Sequence, residues 1–236
     1  YRYPSCLRAP YRGGAEMKSR LDEPTIALRA AREFADGSVV NLGYGMPGLC
    51  ANLIPEGRTV FFQSENGMLG YGGLAADAEK DYEMINASDQ PVTPAPGMCF
   101  FDSAASFDMI RGGHVDVVVL GAYQVSEKGD LANWGRPGRP ATGMGGGMDL
   151  AAGAGRVIVT MLHTTKEGKP RIVKNCTFPL TAKQCVSLII TDLAVIEVTG
   201  QGLVLKEIAP GWTVQEIQSL TEARLEPAAD LKEIEL

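Results

Sequence analysis

The chain has 236 residues, 45% of them hydrophobic and 21% charged, with a formal net charge of −6. That balance supplies enough apolar side chains for a full core and excludes a disordered chain. The acidic surplus excludes the broad basic face that nucleic-acid binding requires, and no apolar stretch approaches the ~18 residues of a membrane span.

Residues 1–16 carry arginines, prolines and tyrosines without periodicity and read as an N-terminal extension, flexible or non-native, ahead of one domain over 17–236. Glu23-Pro24-Thr25-Ile26 opens a helix, with Pro24 in the first turn. Ile26, Ala27, Ala30, Ala31 and Phe34 then fall at helical spacing before Asp36-Gly37 ends it. Val39-Val40-Asn41-Leu42 reads as a strand, followed by a loop with Gly43, Gly45 and Pro47 and a helix from about Pro47 to Leu53. Thr59 to Phe62 is the next strand, so this region has the order of a βαβ unit with a parallel sheet.

Asn86 through Cys99, with three prolines, reads as an extended loop and as a lip for a ligand or partner. Further apolar runs predict strands at Val117–Leu120, Arg156–Thr160, Ser187–Ile190 and Ala194–Val198, and such runs suit strands covered on both faces. Leu203–Ile208 alternates like an outer strand, and Val214–Leu220 closes the pattern as a final amphipathic helix. The fold class is therefore α/β, a single open, mostly parallel sheet with helices on both faces. Five scattered cysteines without a C-x-x-C pair read as buried, reduced thiols, which suits a cytoplasmic protein. There is no signal-peptide pattern. His114 and His163, the two histidines, are too few and too separated for a metal site or a Ser/His arrangement and read as structural.

Glu65 is the residue that stands out. It follows the apolar run ending in Phe62 and lies in Gln63-Ser64-Glu65-Asn66-Gly67-Met68-Leu69-Gly70. A carboxylate is thus delivered to the end of a buried strand, where the sheet edge of an α/β protein opens into a crevice. There it can be a nucleophile, a general base, a ligand or a helix cap, and Ser64 and Asn66 can equally be turn formers.

Ser64-Glu65-Asn66-Gly67 resembles the glutamate signature of the β subunits of family I coenzyme A transferases, among them the succinyl-CoA:3-ketoacid, acetoacetate and 3-oxoadipate CoA-transferases. Asn41-Leu42-Gly43-Tyr44-Gly45-Met46-Pro47 resembles that family's Asn-Leu-Gly-x-Gly-x-Pro loop. Four further blocks follow in the family's order, beginning at Met109, Gly129, Gly143 and Cys176. The likeness runs from about Leu21 to about Ala223.

The resemblance implies the open sheet shared with sugar-phosphate isomerases and a ping-pong CoA transfer through a glutamyl-CoA thioester on Glu65. It implies that the backbone N–H of Gly146 stabilises the oxyanion, and that Asn41, Ser64, Asn66, Gly67 and Gly145 contact substrate or CoA. Succinyl-CoA as donor and a short 3-oxo acid as acceptor are the substrates it suggests. CoA is then substrate and covalent intermediate, with no permanently bound cofactor and no metal. Backbone N–H groups and a few local cations accommodate its phosphates despite the net charge. The glycine-rich CoA motif of the α half is absent, so the resemblance implies an α (A) subunit partner in an αβ or α2β2 assembly. Asp89 stands where related sequences often carry lysine, and Gly147 where they often carry alanine. Two other readings stand beside transfer: a thioester hydrolase using the same glutamate, and a non-catalytic ligand-sensing domain of similar fold.

Overall fold

The computed structural model describes residues 18–138 and 143–235. The extension assigned to residues 1–16 lies outside the described residues. Thirteen strands are present among the described residues. They are β1 Val39–Leu42, β2 Phe61–Ser64, β3 Met68–Tyr71, β4 Cys99–Phe100, β5 Val117–Gly121, β6 Gln124–Ser126, β7 Leu131–Ala132, β8 Arg156–Met161, β9 Ile172–Val173, β10 Val186–Thr191, β11 Ala194–Thr199, β12 Gly202–Ile208 and β13 Leu225–Glu233. The α-helices are α1 Glu23–Ala31, α2 Ser103–Arg111, α3 Gly147–Gly153 and α4 Val214–Ser219.

Ten strands form one open sheet in the order β13-β12-β11-β10-β8-β5-β1-β2-β3-β4, and β7-β6-β9 form a small second sheet. The middle of the large sheet, β10-β8-β5-β1-β2, is parallel throughout. Side chains there alternate between two apolar layers. Val118, Leu120, Val157 and Val159 enter one layer, while Val117, Val119 and Ile158 enter the other. Helix α1 closes the second layer with Ile26, Ala27, Ala30 and Ala31, joined by Phe34 just beyond it, and α2 and α3 contribute Ile110 and Leu150 to the first. Both faces are therefore covered, which is why these strands read as unbroken apolar runs.

Chain order creates a crevice. From β1 the chain moves to β2 on one side, turns back through β3 and β4, and returns through α2 to lay β5 on the other side of β1. The carboxyl ends of β1 and β5 thus flank a switch point, the place where open α/β sheets hold ligands.

Four expectations are corrected. The segment after β1 is a 3-10 helix, Met46–Asn52, closed by bonds such as Gly48 N–H to Gly45 C=O and Leu53 N–H to Cys50 C=O. Pro47 lacks a donor and Gly48 is a poor helix former, so the tighter turn prevails. Strand β2 starts two residues later than expected, because Thr59 is held by Asp36 Oδ1 and Gly37 N–H in the turn that follows α1, which ends at Ala31 and not at Asp36-Gly37. The shift makes Gln63 and Ser64 strand residues and Glu65 the first residue beyond. Third, β12 is not an outer strand: β13 pairs with it in parallel. Pro227 and the charges of Leu225–Glu233 hide this strand in the sequence, and an edge position tolerates the missing proline N–H. Last, Cys99 is exposed and Cys176 and Cys185 half-buried, and only Cys50 is a fully buried thiol among the four described.

Candidate active site

Strands β2 and β3 form a hairpin in which Ser64 pairs with Met68, leaving Glu65-Asn66-Gly67 as the turn. Gly67 has φ of 114°, a conformation that favours glycine, and a Cβ there would lie 2.0 Å from the Phe101 carbonyl oxygen. Its own N–H bonds Ser64 C=O and its carbonyl accepts from Phe101 N–H, both at 3.0 Å. Gly67 lets the turn pack against the chain entering α2.

The turn projects the half-buried Glu65 into a cavity of about 690 Å³ at the switch point. Its wall is built from the carboxyl ends of β1, β5 and β8, the Gly143–Gly147 loop, and Ala87 and Ser88 of the long proline-rich segment. That segment thus forms a lip, as its composition suggests.

Asn41, 1% exposed on β1, donates from Nδ2 to Glu65 Oε2 at 3.0 Å and to Gln63 Oε1 at 2.7 Å. Gln63, equally buried, donates through Nε2 to Ser106 Oγ at 2.8 Å on α2, and that hydroxyl donates to Ser64 C=O at 3.3 Å. A polar chain thus crosses the layer between sheet and helix and ends at the glutamate. The two bonds from Nδ2 fix the direction of the Asn41 amide, whose Oδ1 has no partner among the described residues. Tyr71 also senses the glutamate: burial first, and then the Glu65 charge, push its phenol well above the usual range.

Gly146 is buried beside this carboxylate. A Cβ at this position would lie 3.3 Å from Phe107 Cζ and 3.5 Å from Glu65 Cγ, so glycine alone leaves the approach open. Its N–H has no acceptor among the described residues, whereas Gly147 N–H is bonded to Met144 C=O. Gly143 and Gly145 also line the cavity, both with positive φ.

The structure therefore brings together Asn41, Glu65, Gly145 and Gly146. It turns two other candidates away. Ser64 is buried, and its Oγ accepts from Ala87 N–H at 2.8 Å, which anchors the lip. Asn66 is exposed and donates to Ile85 C=O at 2.8 Å. Neither Ser64, Asn66 nor Gly67 lines the cavity. Gln63, Ser106, Phe107, Thr160 and Arg171 were not singled out from sequence. For Gln63 the signal was present, a polar residue inside a buried strand; for the others only proximity in the fold reveals them. Trp134 lines the cavity and donates from Nε1 to Leu180 C=O at 3.1 Å. A second cleft, of about 710 Å³, lies around the β11–β12 hairpin and includes none of the candidate residues.

Fold and cleft together define an open-sheet α/β protein with a carboxylate presented at the switch point beside a glycine-lined loop. The comparisons carry this further. Residues 24–220 match the family model described as Coenzyme A transferase. The chain is 48% identical over 200 residues to a probable coenzyme A transferase subunit beta of Bacillus subtilis, covering 85% of this chain and 92% of that one. It is 48% identical to the acetate CoA-transferase subunit beta of Escherichia coli, covering 87% and 94%. It is 50% identical to the mouse mitochondrial succinyl-CoA:3-ketoacid coenzyme A transferase 2B, covering 88% of this chain but 40% of that protein.

Among solved structures, an acyl-CoA transferase (YdiF) of E. coli O157:H7 superimposes with a TM-score of 0.71 at 21% identity over 93% of this chain and 45% of that one. This chain thus spans a little under half of that protein. The decarboxylase AibA/AibB superimposes with a TM-score of 0.65 at 21% identity over 91% of this chain and 88% of that one. At these identities the superpositions speak for the fold alone. The chain belongs to the coenzyme A transferase family and is an enzyme of CoA transfer.

Proposed function

We propose that this chain is the catalytic subunit of a CoA-transferase that works through a glutamyl-CoA thioester on Glu65. The observation that carries the reading is the placement of Glu65 between the Asn41 amide and Gly146 inside the switch-point cavity. Asn41 occupies Oε2, which leaves Oε1 to attack the acyl-CoA carbonyl. The C–S bond breaks, CoA leaves as thiolate, and an acyl-glutamyl anhydride forms. The thiolate then attacks the Glu65 side-chain carbonyl carbon, releasing the donor acid with Oε1 and leaving the glutamyl-CoA thioester. In that second step negative charge develops on Oε2, where the Asn41 N–H already points. Gly146 N–H serves the oxyanion on the acyl carbon in the first step. A donor of this kind contributes about 3 kcal/mol to a transition state. The acceptor carboxylate runs the steps in reverse.

Ser64 and Gly67 hold the turn and the lip, so their part is positioning. We further infer an α-type partner, forming αβ or α2β2, with succinyl-CoA as donor and a short 3-oxo acid as acceptor. Two observations support the partner. Related chains are named as β or B subunits. Tyr44, 81% exposed, and the exposed Met144 both line the cavity, an apolar rim of the kind an interface covers.

The test uses the chain co-purified with its partner and incubated with succinyl-CoA or acetoacetyl-CoA, followed by intact-mass and peptide analysis. The expected result is added CoA mass on Glu65, removed by hydroxylamine or borohydride. Glu65→Ala should abolish both adduct and turnover, and Glu65→Asp should nearly do so, since one methylene withdraws the carboxylate from its line of attack. Turnover retained in Glu65→Ala would defeat the mechanism.

A further inference from the structure

The wall of the cavity contributed by β8 and the segment after it has no part in the chemistry above. Thr160 is 1% exposed, and its Oγ1 has no hydrogen-bond partner among the described residues although it lines the cavity. A buried hydroxyl left unpaired is unfavourable unless a ligand completes it. Its neighbour across the sheet is Gly121, where a Cβ would meet nothing within 4 Å, so room stands beside the hydroxyl.

Arg171 lines the same cavity, tied to this wall by its N–H bond to His163 C=O at 3.1 Å. It is half-buried, yet no described carboxylate pairs with it. The contrast with Arg29 is plain: that buried guanidinium holds both Glu33 and Glu207. The acid with the largest pull on Arg171, Asp192, is already engaged by Arg20 at 2.8 Å and by His163 N–H at 2.6 Å. A second cation adds to the surplus. Arg136 lies over the ring of Tyr123, another lining residue, with 4.8 Å between guanidinium carbon and ring centre. Burial, and then the charge of Arg136, hold the pKa of Arg171 below its ordinary value. Two neighbouring cations, one of them lining the cavity that also holds an unpaired buried hydroxyl, call for an anion.

We propose that Arg171 and Thr160, with Arg136 nearby, form a subsite for the second carboxylate of a dicarboxylic acyl group. The proposal rests on Glu65 being the nucleophile. CoA carries its phosphates at the far end of the pantetheine arm from the thioester carbon. An arginine sharing a cavity with Glu65 therefore faces the acyl group. The enzyme then selects donors whose acyl chain ends in a carboxylate, and Arg171 is a specificity-determining residue.

Succinyl-CoA and butyryl-CoA have acyl groups of nearly equal length, differing at the tip by carboxylate against methyl. Using the complex with its partner subunit, the rate of glutamyl-CoA formation is measured with each. Arg171→Met should lower kcat/KM for succinyl-CoA at least tenfold and leave butyryl-CoA within about twofold. Arg171→Lys should recover part of the loss, and Thr160→Val should show a smaller loss of the same selectivity. Equal losses with both donors in Arg171→Met overturn the subsite. A loss with acyl-CoA that disappears with acyl-pantetheine moves the contact to a phosphate and overturns it as well. Wild-type protein forming adduct with both donors, and unchanged by Arg171→Met, sinks the subsite alone. Wild-type protein forming no adduct with either fails the Glu65 mechanism, and the subsite falls with it.

Discussion

Asn41 and Glu65 lie on different strand ends 24 residues apart, and the Asn41 amide donates to Glu65 Oε2 at 3.0 Å. The same amide nitrogen donates to Gln63 Oε1 at 2.7 Å, so its orientation is fixed before any substrate arrives. Asn41→Ala removes both bonds. We expect kcat to fall by about 100-fold, in line with loss of one oxyanion donor, while KM changes little. Unfolding stability should fall as well, by about 1–3 kcal/mol, because Gln63 Oε1 is left buried without a donor. Steady-state kinetics together with urea unfolding check the pair of outcomes. Unchanged kcat would detach Asn41 from the chemistry.

Adjacent glycines at the start of α3, Gly146 at its cap and Gly147 as its first residue, should respond in opposite ways. At Gly147 an added Cβ meets only Thr181 Cγ2 at 3.7 Å and Asn133 Oδ1 at 3.9 Å, both ordinary contacts. Gly147→Ala should therefore keep activity and raise stability by roughly 0.5–1 kcal/mol through the lost backbone freedom of glycine. Gly146→Ala places a methyl group 3.5 Å from Glu65 Cγ. It should fold, with the Phe107 ring giving way at 3.3 Å, and lose about 100-fold in turnover because the methyl group occupies the approach to the carboxylate. Melting temperature and turnover of the two variants, measured together, test the contrast.

Stability far from the site depends on Arg29. Its Nε and one terminal nitrogen grip Glu207 of β12 at 2.7 and 2.9 Å, and its other nitrogen reaches Glu33 at 2.7 Å. Arg156 of β8 bonds the second oxygen of Glu33 at 2.8 Å. Arg29→Met leaves the buried Glu207 without a cation and the half-buried Glu33 with Arg156 alone, which should cost about 3–5 kcal/mol. Chemical unfolding should show this loss, with turnover per folded molecule unchanged. A loss under 1 kcal/mol would mean that water replaces the guanidinium.

His163 should make the fold acid-sensitive. Its Nε2 faces Thr221 Oγ1 at 2.8 Å and its Nδ1 faces Thr191 Oγ1 at 2.9 Å. Thr221 Oγ1 donates onward to Ile217 C=O and so accepts from Nε2–H, while the Thr191 hydroxyl donates to Nδ1 at 2.9 Å in preference to the longer contact with Ala194 C=O at 3.2 Å, so a neutral ring satisfies the arrangement. Burial brings its pKa from 6.5 down to about 4 against the opposing pull of Asp192. Between those values the unfolded chain takes up a proton that the folded chain refuses. Stability contributed by the neutral ring is thus complete above about pH 6.5 and lost as pH falls toward 4. The His163 ring resonances should not titrate between pH 7 and pH 5, and unfolding free energy should decline over the same interval. A normal titration midpoint would refute this.

The sequence by itself determined the α/β class, the parallel middle of the sheet and the segment bearing Glu65. Local signals suffice for these: unbroken apolar runs require strands covered on both faces, and glycine after a strand requires a turn. The glutamate motif and its five companion blocks also determined the family, which residues 24–220 bear out. Only the tertiary structure decided which motif residues share a cavity. Ser64, Asn66 and Gly67 adjoin Glu65 in the chain yet bond the lip and the start of α2, because side chains alternate along a strand and turn residues spend their polar groups on the backbone. Gln63, Ser106, Thr160 and Arg171 come from β2, α2, β8 and the segment after it. They gain their meaning from the switch in strand order that brings those elements together, a long-range packing choice that no local pattern encodes. Strand β13 was hidden for a related reason: at a sheet edge, the neighbouring strand and not the residue's own propensity makes the strand.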